Sequence, residues 1–359
     1  MSRRDLRRHA GRFAIVGFVG ETVPSGLRRL IAEFDLGGVI YFSRNIANPE
    51  QVAELSREVA SLAKEWPLWI SVDQEGGQVA RLKAPFTLWP PAMTIGRSGS
   101  EALAARFGRA LGAELRAVGI NLDYAPVLDV HTNPANPIIG DRALGTRPEG
   151  VARLGAIVIE ALQQSGIAAC GKHFPGHGDT STDSHLELPL VEHDRRRLDA
   201  VELVPFRRAI EADVATMMTA HVMLPALDER QPASFSRTIV NDLLKVSMNY
   251  QGIVISDDLG MKAVSQTTPL PAATVQALVA GCDMVLLCNS TIDEQSEAIE
   301  AVIRAGEAGE LTATRIDDAM KRQHAVKARF LAPSSVSPGL DAIGRHEHGE
   351  VAREMAKWL

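Results

Sequence analysis

Cysteine is scarce in this 359-residue chain: Cys170, Cys282 and Cys288 are the only three, none forms a CxxC, and each sits in an apolar run. That pattern argues against a disulfide scaffold or a cysteine metal site and predicts buried, reduced thiols. Positive charge is not in excess either. With 38 Lys and Arg against 44 Asp and Glu, the formal net charge is -6, and nothing marks a nucleic-acid binder. The basic start, Met-Ser-Arg-Arg-Asp-Leu-Arg-Arg-His, is followed by an apolar run from Phe13 to Val19 that is too short for a membrane span and has no small-residue cleavage site. It reads as a fraying helix on a cytoplasmic protein without a membrane partner. Internal repeats, low-complexity segments and a second domain are also lacking. No Gly-rich dinucleotide turn follows the first strand, which weakens the case for a doubly wound sheet.

What the chain has is alternation. Short β-branched runs occur at Phe13–Val19, Gly38–Phe42, Leu68–Val72, Leu122–Val127, Ala168–His173, Thr216–Val222, Gly252–Ser256 and Asp283–Cys288. Between them lie amphipathic stretches such as Pro49–Lys64, Ser100–Val118, Arg147–Gln164, Leu198–Ala212 and Ser236–Met248, with apolar residues at helical spacing. Eight βα units in one chain of this length predict an α/β fold, a single (β/α)8 barrel over residues 1–331 that closes near Cys288. Residues 332–359 read as a linker, Ala-Pro-Ser-Ser-Val-Ser-Pro-Gly, and a terminal helix packed on the barrel.

The densest chemistry lies at 170–190, Cys-Gly-Lys-His-Phe-Pro-Gly-His-Gly-Asp-Thr-Ser-Thr-Asp-Ser-His-Leu-Glu-Leu-Pro-Leu. Pro175 and the glycines at 171, 176 and 178 forbid helix and regular strand, so this is a loop after the fifth strand. Lys172, His173, His177, Asp179, Asp183 and His185 crowd into it, a density that suggests a reaction site. Other polar residues fall at strand ends, where barrel enzymes gather their reactive groups. Asp73, with Arg81 beyond it, follows the third strand; Asp129 the fourth, with Arg142 in the loop after it; His221 the sixth; and Asp257 and Asp258 the seventh. Gln74-Glu75-Gly76-Gly77 reads as a tight turn needing positive φ. His177 and Asp179 are expected to serve the loop's own structure. His221 is expected to sit behind the reacting groups, and Asp129 to hold Arg142 or Lys172.

The stretch KHFPGHGDTSTDSHLELPLV, with VDQEGG at 72–77, NLDYAPVLDV at 121–130, IGDRALG at 139–145 and IVISDDLGM at 253–261, resembles the family 3 glycoside hydrolases. Within them it is most similar to the bacterial single-domain β-N-acetylglucosaminidases. The resemblance runs from about Gly37 to Cys288. It implies a retaining exo-hydrolase that removes terminal β-linked N-acetylglucosamine, typically from muropeptide fragments in peptidoglycan recycling. It further implies that Asp257 is the nucleophile, with Asp258 as the adjacent alternative, and that His185 is the acid/base, oriented by Asp183. Asp73, Arg81, Arg142, Lys172 and His173 would line the subsite for the terminal sugar. Imidazole suits the acid/base task because its ordinary pKa, about 6.5, lets it give and take a proton near neutrality.

Neither a cofactor nor a metal is expected; the partner is a small carbohydrate substrate, and the chain is expected to be a monomer or weak homodimer. A metal-dependent barrel hydrolase could draw ligands from His173, His177, His185, His221 and Asp257, but no HxH ends the first strand and Lys172 would set a positive charge beside the cation. A non-catalytic sugar-binding barrel would have no need of a nucleophile paired with an acid/base. β-Glucosidase or β-xylosidase activity is the nearest competitor within the family, and the Asp-Ser-His dyad favours N-acetylglucosamine. The aglycone, and phosphate in place of water as acceptor, are left open.

Overall fold

The computed structural model describes residues 3–181, 188–332 and 339–359. Its strands are β1 (Ala14–Gly17), β2 (Gly38–Tyr41), β3 (Trp69–Val72), β4 (Gln74–Gly76), β5 (Val79–Ala80), β6 (Leu122–Asp123), β7 (Ala168–Phe174), β8 (Thr216–Thr219), β9 (Ile253–Asp258) and β10 (Met284–Leu287). β4 and β5 form a separate antiparallel hairpin. The other eight are parallel, each paired with the next, and the barrel closes where β10 pairs with β1, Ala14 opposite Val285.

Both faces of these strands are covered, which is why they read as continuous apolar runs rather than alternating ones. Ile15, Ile40, Trp69, Cys170, Ile255 and Leu286 fill the barrel interior. Their neighbours Val16, Val39, Ile70, Val254 and Leu287 face outward onto the helices. All three cysteines are buried and unpaired, and burial pushes the Cys170 and Cys282 thiols up to about 12.

Helices begin where the sequence offers caps. Asn48 accepts the Gln51 amide ahead of Pro49–Ser61, Ser100 accepts Leu103 ahead of Glu101–Ala117, and Thr291 with Glu294 forms a capping box for Ile292–Ala308. Several boundaries differ from the sequence expectation. The fourth strand ends at Asp123 rather than Val127, because Pro126 has no amide for the ladder. The seventh runs on to Asp258, so Asp257 is a strand residue rather than a loop residue. The segment 198–212 divides into Arg195–Ala200 and Val204–Glu211, and Thr238–Ser247 winds as a π-helix. The terminal helix His346–Ala356 buries Val351 and Met355 and packs against Glu101–Ala117, with Arg106 and Glu354 paired at 2.6 Å.

Candidate active site

Side chains along a strand alternate in direction, and this period carries three ionisable groups onto the inner face. Asp73 follows Trp69 and Ser71, Lys172 follows Ala168 and Cys170, and Asp257 follows Ile253 and Ile255. They emerge at the C-terminal end of the barrel around a cavity of about 140 Å3. Asp73, Arg81, Arg142, Lys172, His173 and Asp257 all line it, so the structure brings together every sugar-site residue expected from the sequence with the expected nucleophile. Asp183 and His185 lie outside the described residues. A larger surface hollow, of about 570 Å3, is lined by Asp5, Arg7, Glu33 and Arg304 and touches none of these groups.

Asp257 and Asp258 differ sharply in surroundings. Asp258 accepts the amides of Cys288 at 2.9 Å and Gly260 at 3.1 Å and the Asn289 side chain at 3.2 Å, which ties β9 to the end of β10. Asp257 is the one residue of β9 that is not fully buried. Its Oδ1 accepts the Asp258 amide at 2.8 Å. Burial pushes its carboxyl up, but His173, His221, that amide and Lys172 together outweigh burial and hold it below the ordinary carboxylate range. Burial, with Asp257 nearby, leaves Asp258 above that range.

The cations are fixed by a residue the sequence reading treated as part of a turn. Glu75 is buried and grips Arg142 in a fork, Oε2 to Nε and Oε1 to Nη2 at 2.9 Å each, while Lys172 lies 2.6 Å from Oε1. Lys172 also donates to Asp73 at 2.9 Å, and Arg81 approaches Asp73 at 3.6 Å. Burial opposes charge on Glu75, yet Arg142 and Lys172 hold its carboxyl far below the usual range. Lys172 in turn is held above its ordinary value by Asp73 and Glu75 against burial. Beneath them Asp123 takes the Gln74 amide at 2.9 Å, and burial keeps its carboxyl well above the carboxylate range. The glycines do what the turn reading expected: Gly76 and Gly77 have φ of 100° and 59°.

Asp129 corrects another expectation. It holds neither Arg142 nor Lys172 but the end of β7 and the loop after it, accepting His173 Nδ1 at 2.7 Å and the His177 amide at 2.6 Å. A carboxylate that can only accept fixes the proton of His173 on Nδ1 and turns Nε2 toward other partners. His177 Nδ1 lies 2.7 Å from the Thr180 hydroxyl, and burial lowers its pKa to about 4. It holds the loop, as expected, and also lines the cavity. Asp179 stays with loop structure, paired with Thr132 and His193. His221 lies behind the carboxylates, Nε2 donating to the Asp258 carbonyl at 3.1 Å and Nδ1 at 2.7 Å from Ser234. Glu75 was missed because the two glycines already explained the turn; the available signal was an acid beside a strand end in a chain with two cations in need of a counter-charge.

A half-buried, ionised carboxylate facing a small cavity of fixed donors and acceptors, at the C-terminal end of a (β/α)8 barrel, has the makings of an enzyme site for a small polar substrate such as a sugar. The family model described as the glycosyl hydrolase family 3 N-terminal domain matches residues 12–326, and the chain belongs to that family of glycosidases. A β-hexosaminidase of Alkalilimnicola ehrlichii is 41% identical over 296 residues, 81% of this chain and 83% of that one. A solved family 3 β-N-acetylglucosaminidase from Paenibacillus sp. superposes with a TM-score of 0.94 at 41% identity, covering 98% of this chain and 68% of the other. NagZ from Neisseria gonorrhoeae, solved with N-trifluoroacetyl-D-glucosamine, is 30% identical with a TM-score of 0.79, covering 96% and 97%.

Proposed function

We propose that this chain is a retaining exo-β-N-acetylhexosaminidase acting on terminal β-linked N-acetylglucosamine. The observation that carries this is Asp257, the half-buried acid of β9, kept ionised at the wall of the cavity. Its Oδ1 is held by an amide, which leaves Oδ2 for the sugar. In the first step Oδ2 bonds to the anomeric carbon, the bond to the aglycone oxygen breaks, and that oxygen takes a proton from His185. In the second, water gives its proton to His185 and attacks the same carbon, releasing Asp257 and a sugar of retained configuration. Asp183 orients His185. Both roles rest on the resemblance of Asp183-Ser184-His185 to the family's dyad. In this reading Asp73 accepts two sugar hydroxyls, while Arg81, Arg142, Lys172 and His173, which line the same cavity, serve the remaining oxygens.

The test is turnover of aryl β-N-acetylglucosaminide and β-glucoside, with and without phosphate, with the product anomer read by NMR. The expected result is a strong preference for the N-acetyl sugar and release of the β-anomer. Asp257→Ala should lose at least about 10³-fold in kcat, and azide should partly restore turnover with inverted product. Wild-type activity in Asp257→Ala, with Asp258→Ala inactive, would overturn the assignment.

A further inference from the structure

The C-terminal segment lies beyond the family match, which ends at residue 326, and none of its described residues lines the sugar cavity. It nevertheless meets a buried carboxylate that also holds a loop of the site. Glu114, in helix Glu101–Ala117, accepts four hydrogen bonds from two separate stretches of chain. From the loop after β5 come the Thr87 amide at 3.0 Å and the Thr87 hydroxyl at 2.6 Å. From the C-terminal segment come the Gly344 amide at 3.0 Å and His348 Nδ1 at 2.8 Å. The two stretches also touch directly. The His348 ring lies 6.5 Å from that of Trp89, and a Cβ on Gly344 would come within 2.4 Å of the Pro85 carbonyl.

The loop that Thr87 anchors is the outer support of the β4–β5 hairpin. Trp89 accepts the Gly77 amide at 2.8 Å, directly after Gly76, whose missing Cβ would sit 2.7 Å from the Pro90 carbonyl. At the other end of the hairpin, Gln74 Oε1 accepts the amides of Arg81 and Leu82 at 2.7 and 3.0 Å. Between these supports stand Glu75 and Arg81, which set the cations and Asp73 at the cavity. Thr87 and Trp89 therefore join Glu114 to the sugar pocket with two hydrogen-bonded steps and a few residues of chain.

We propose that Glu114 is a positioning residue that couples the C-terminal segment to sugar binding through Thr87 and the β4–β5 hairpin. Thr87, Gly344 and His348 share Oε1, so the C-terminal donors fix the orientation of the carboxylate, and losing them lets it turn and shifts the oxygens it offers Thr87. The proposal rests on the glycosidase reading above only for its assay. Its effect falls on KM, because the hairpin places binding groups and not Asp257.

The test compares Thr87→Val and His348→Ala with Glu354→Gln in the full-length chain. Glu354 lies on the same terminal helix and pairs with Arg106 of the same barrel helix, but has no bond to the loop after β5. Thr87→Val and His348→Ala should each raise KM for an aryl β-N-acetylglucosaminide by at least about threefold, with kcat changed less than about twofold. Hydrogen exchange over residues 74–82 should speed up in both. Glu354→Gln should leave KM and that exchange at wild-type values whatever it does to thermal stability. KM and exchange unchanged in Thr87→Val and His348→Ala, or moved equally by Glu354→Gln, would overturn the proposal. Failure of the wild-type chain to turn over the N-acetyl sugar would count against the assigned substrate, while exchange at 74–82 would still decide the coupling.

Discussion

Glu75 and His177 show how far a single residue's chemistry depends on what surrounds it. Glu75 is buried with two cations, so its charge is matched and neither Lys172 nor Arg142 is left to wander over the sugar site. Removing Glu75 would leave Arg142 without its carboxylate and Lys172 with Asp73 alone, which is why such a cluster behaves as a unit. His177 is buried with its pKa lowered to about 4, so it is neutral when the unfolded chain's imidazole, at about 6.5, begins to protonate. As pH falls, the unfolded state binds that proton first, so stability present above about 6.5 is lost progressively down to about 4. The loss from this one group is at most about 3 kcal/mol. His177→Asn should make the slope in this window shallower in a plot of denaturant-unfolding free energy against pH, leaving the share of His221, whose pKa burial also lowers, and at lower pH that of the depressed carboxyls of Glu75 and Asp129. A wild-type slope retained between pH 6.5 and 4 would mean that another group carries it.

At the scale of elements, the loop after β7 is held by close approach as well as by Asp129. A Cβ on Gly178 would lie 1.9 Å from the Val130 carbonyl, in the stretch that also supplies Asp129. Gly178→Ala must push these two loops apart, at a cost of about 1–3 kcal/mol. Because His173 and His177 hang from the same contact, the expected outcome is a lower melting temperature and a raised KM together. A loss of stability with unaltered KM would show the two loops to be mechanically independent.

Across the whole molecule, barrel closure depends on an ionic knot at the start of the last strand. Asp283 is fully buried, accepts Lys245 at 2.6 Å and the Val254 amide at 2.9 Å, and pairs with Arg315 of helix Ala313–Phe330. It thereby joins β9, β10, the π-helix and that helix. Asp283→Ala leaves buried Lys245 with only the more exposed Asp318, 3.2 Å away, and should cost about 3 kcal/mol, read by chemical denaturation. Below the transition, kcat should stay near wild type, since none of these groups lines the sugar cavity. No helix among the described residues is long and apolar enough to cross a membrane.

The amino-acid order alone determined the eight-strand alternation, and with it the barrel, because period and punctuation are local properties of the chain. It also determined the strand-end positions of Asp73, Lys172 and Asp257, since alternation along a parallel strand leaves little choice of face once the barrel is granted. The partner of each charge was decided by tertiary structure. Asp129 turned to His173 rather than to a cation, Glu75 took the cations, and Asp258 was taken up by the Cys288 and Gly260 amides, leaving Asp257 at the cavity. The C-terminal segment gave no local signal of its connection to Glu114, whose side chain looks like any other acid on an amphipathic helix. Apart from the local Gly260 contact, these pairings join residues from 30 to more than 200 positions apart, and only packing brings them within the 3 Å at which a hydrogen bond chooses its partner.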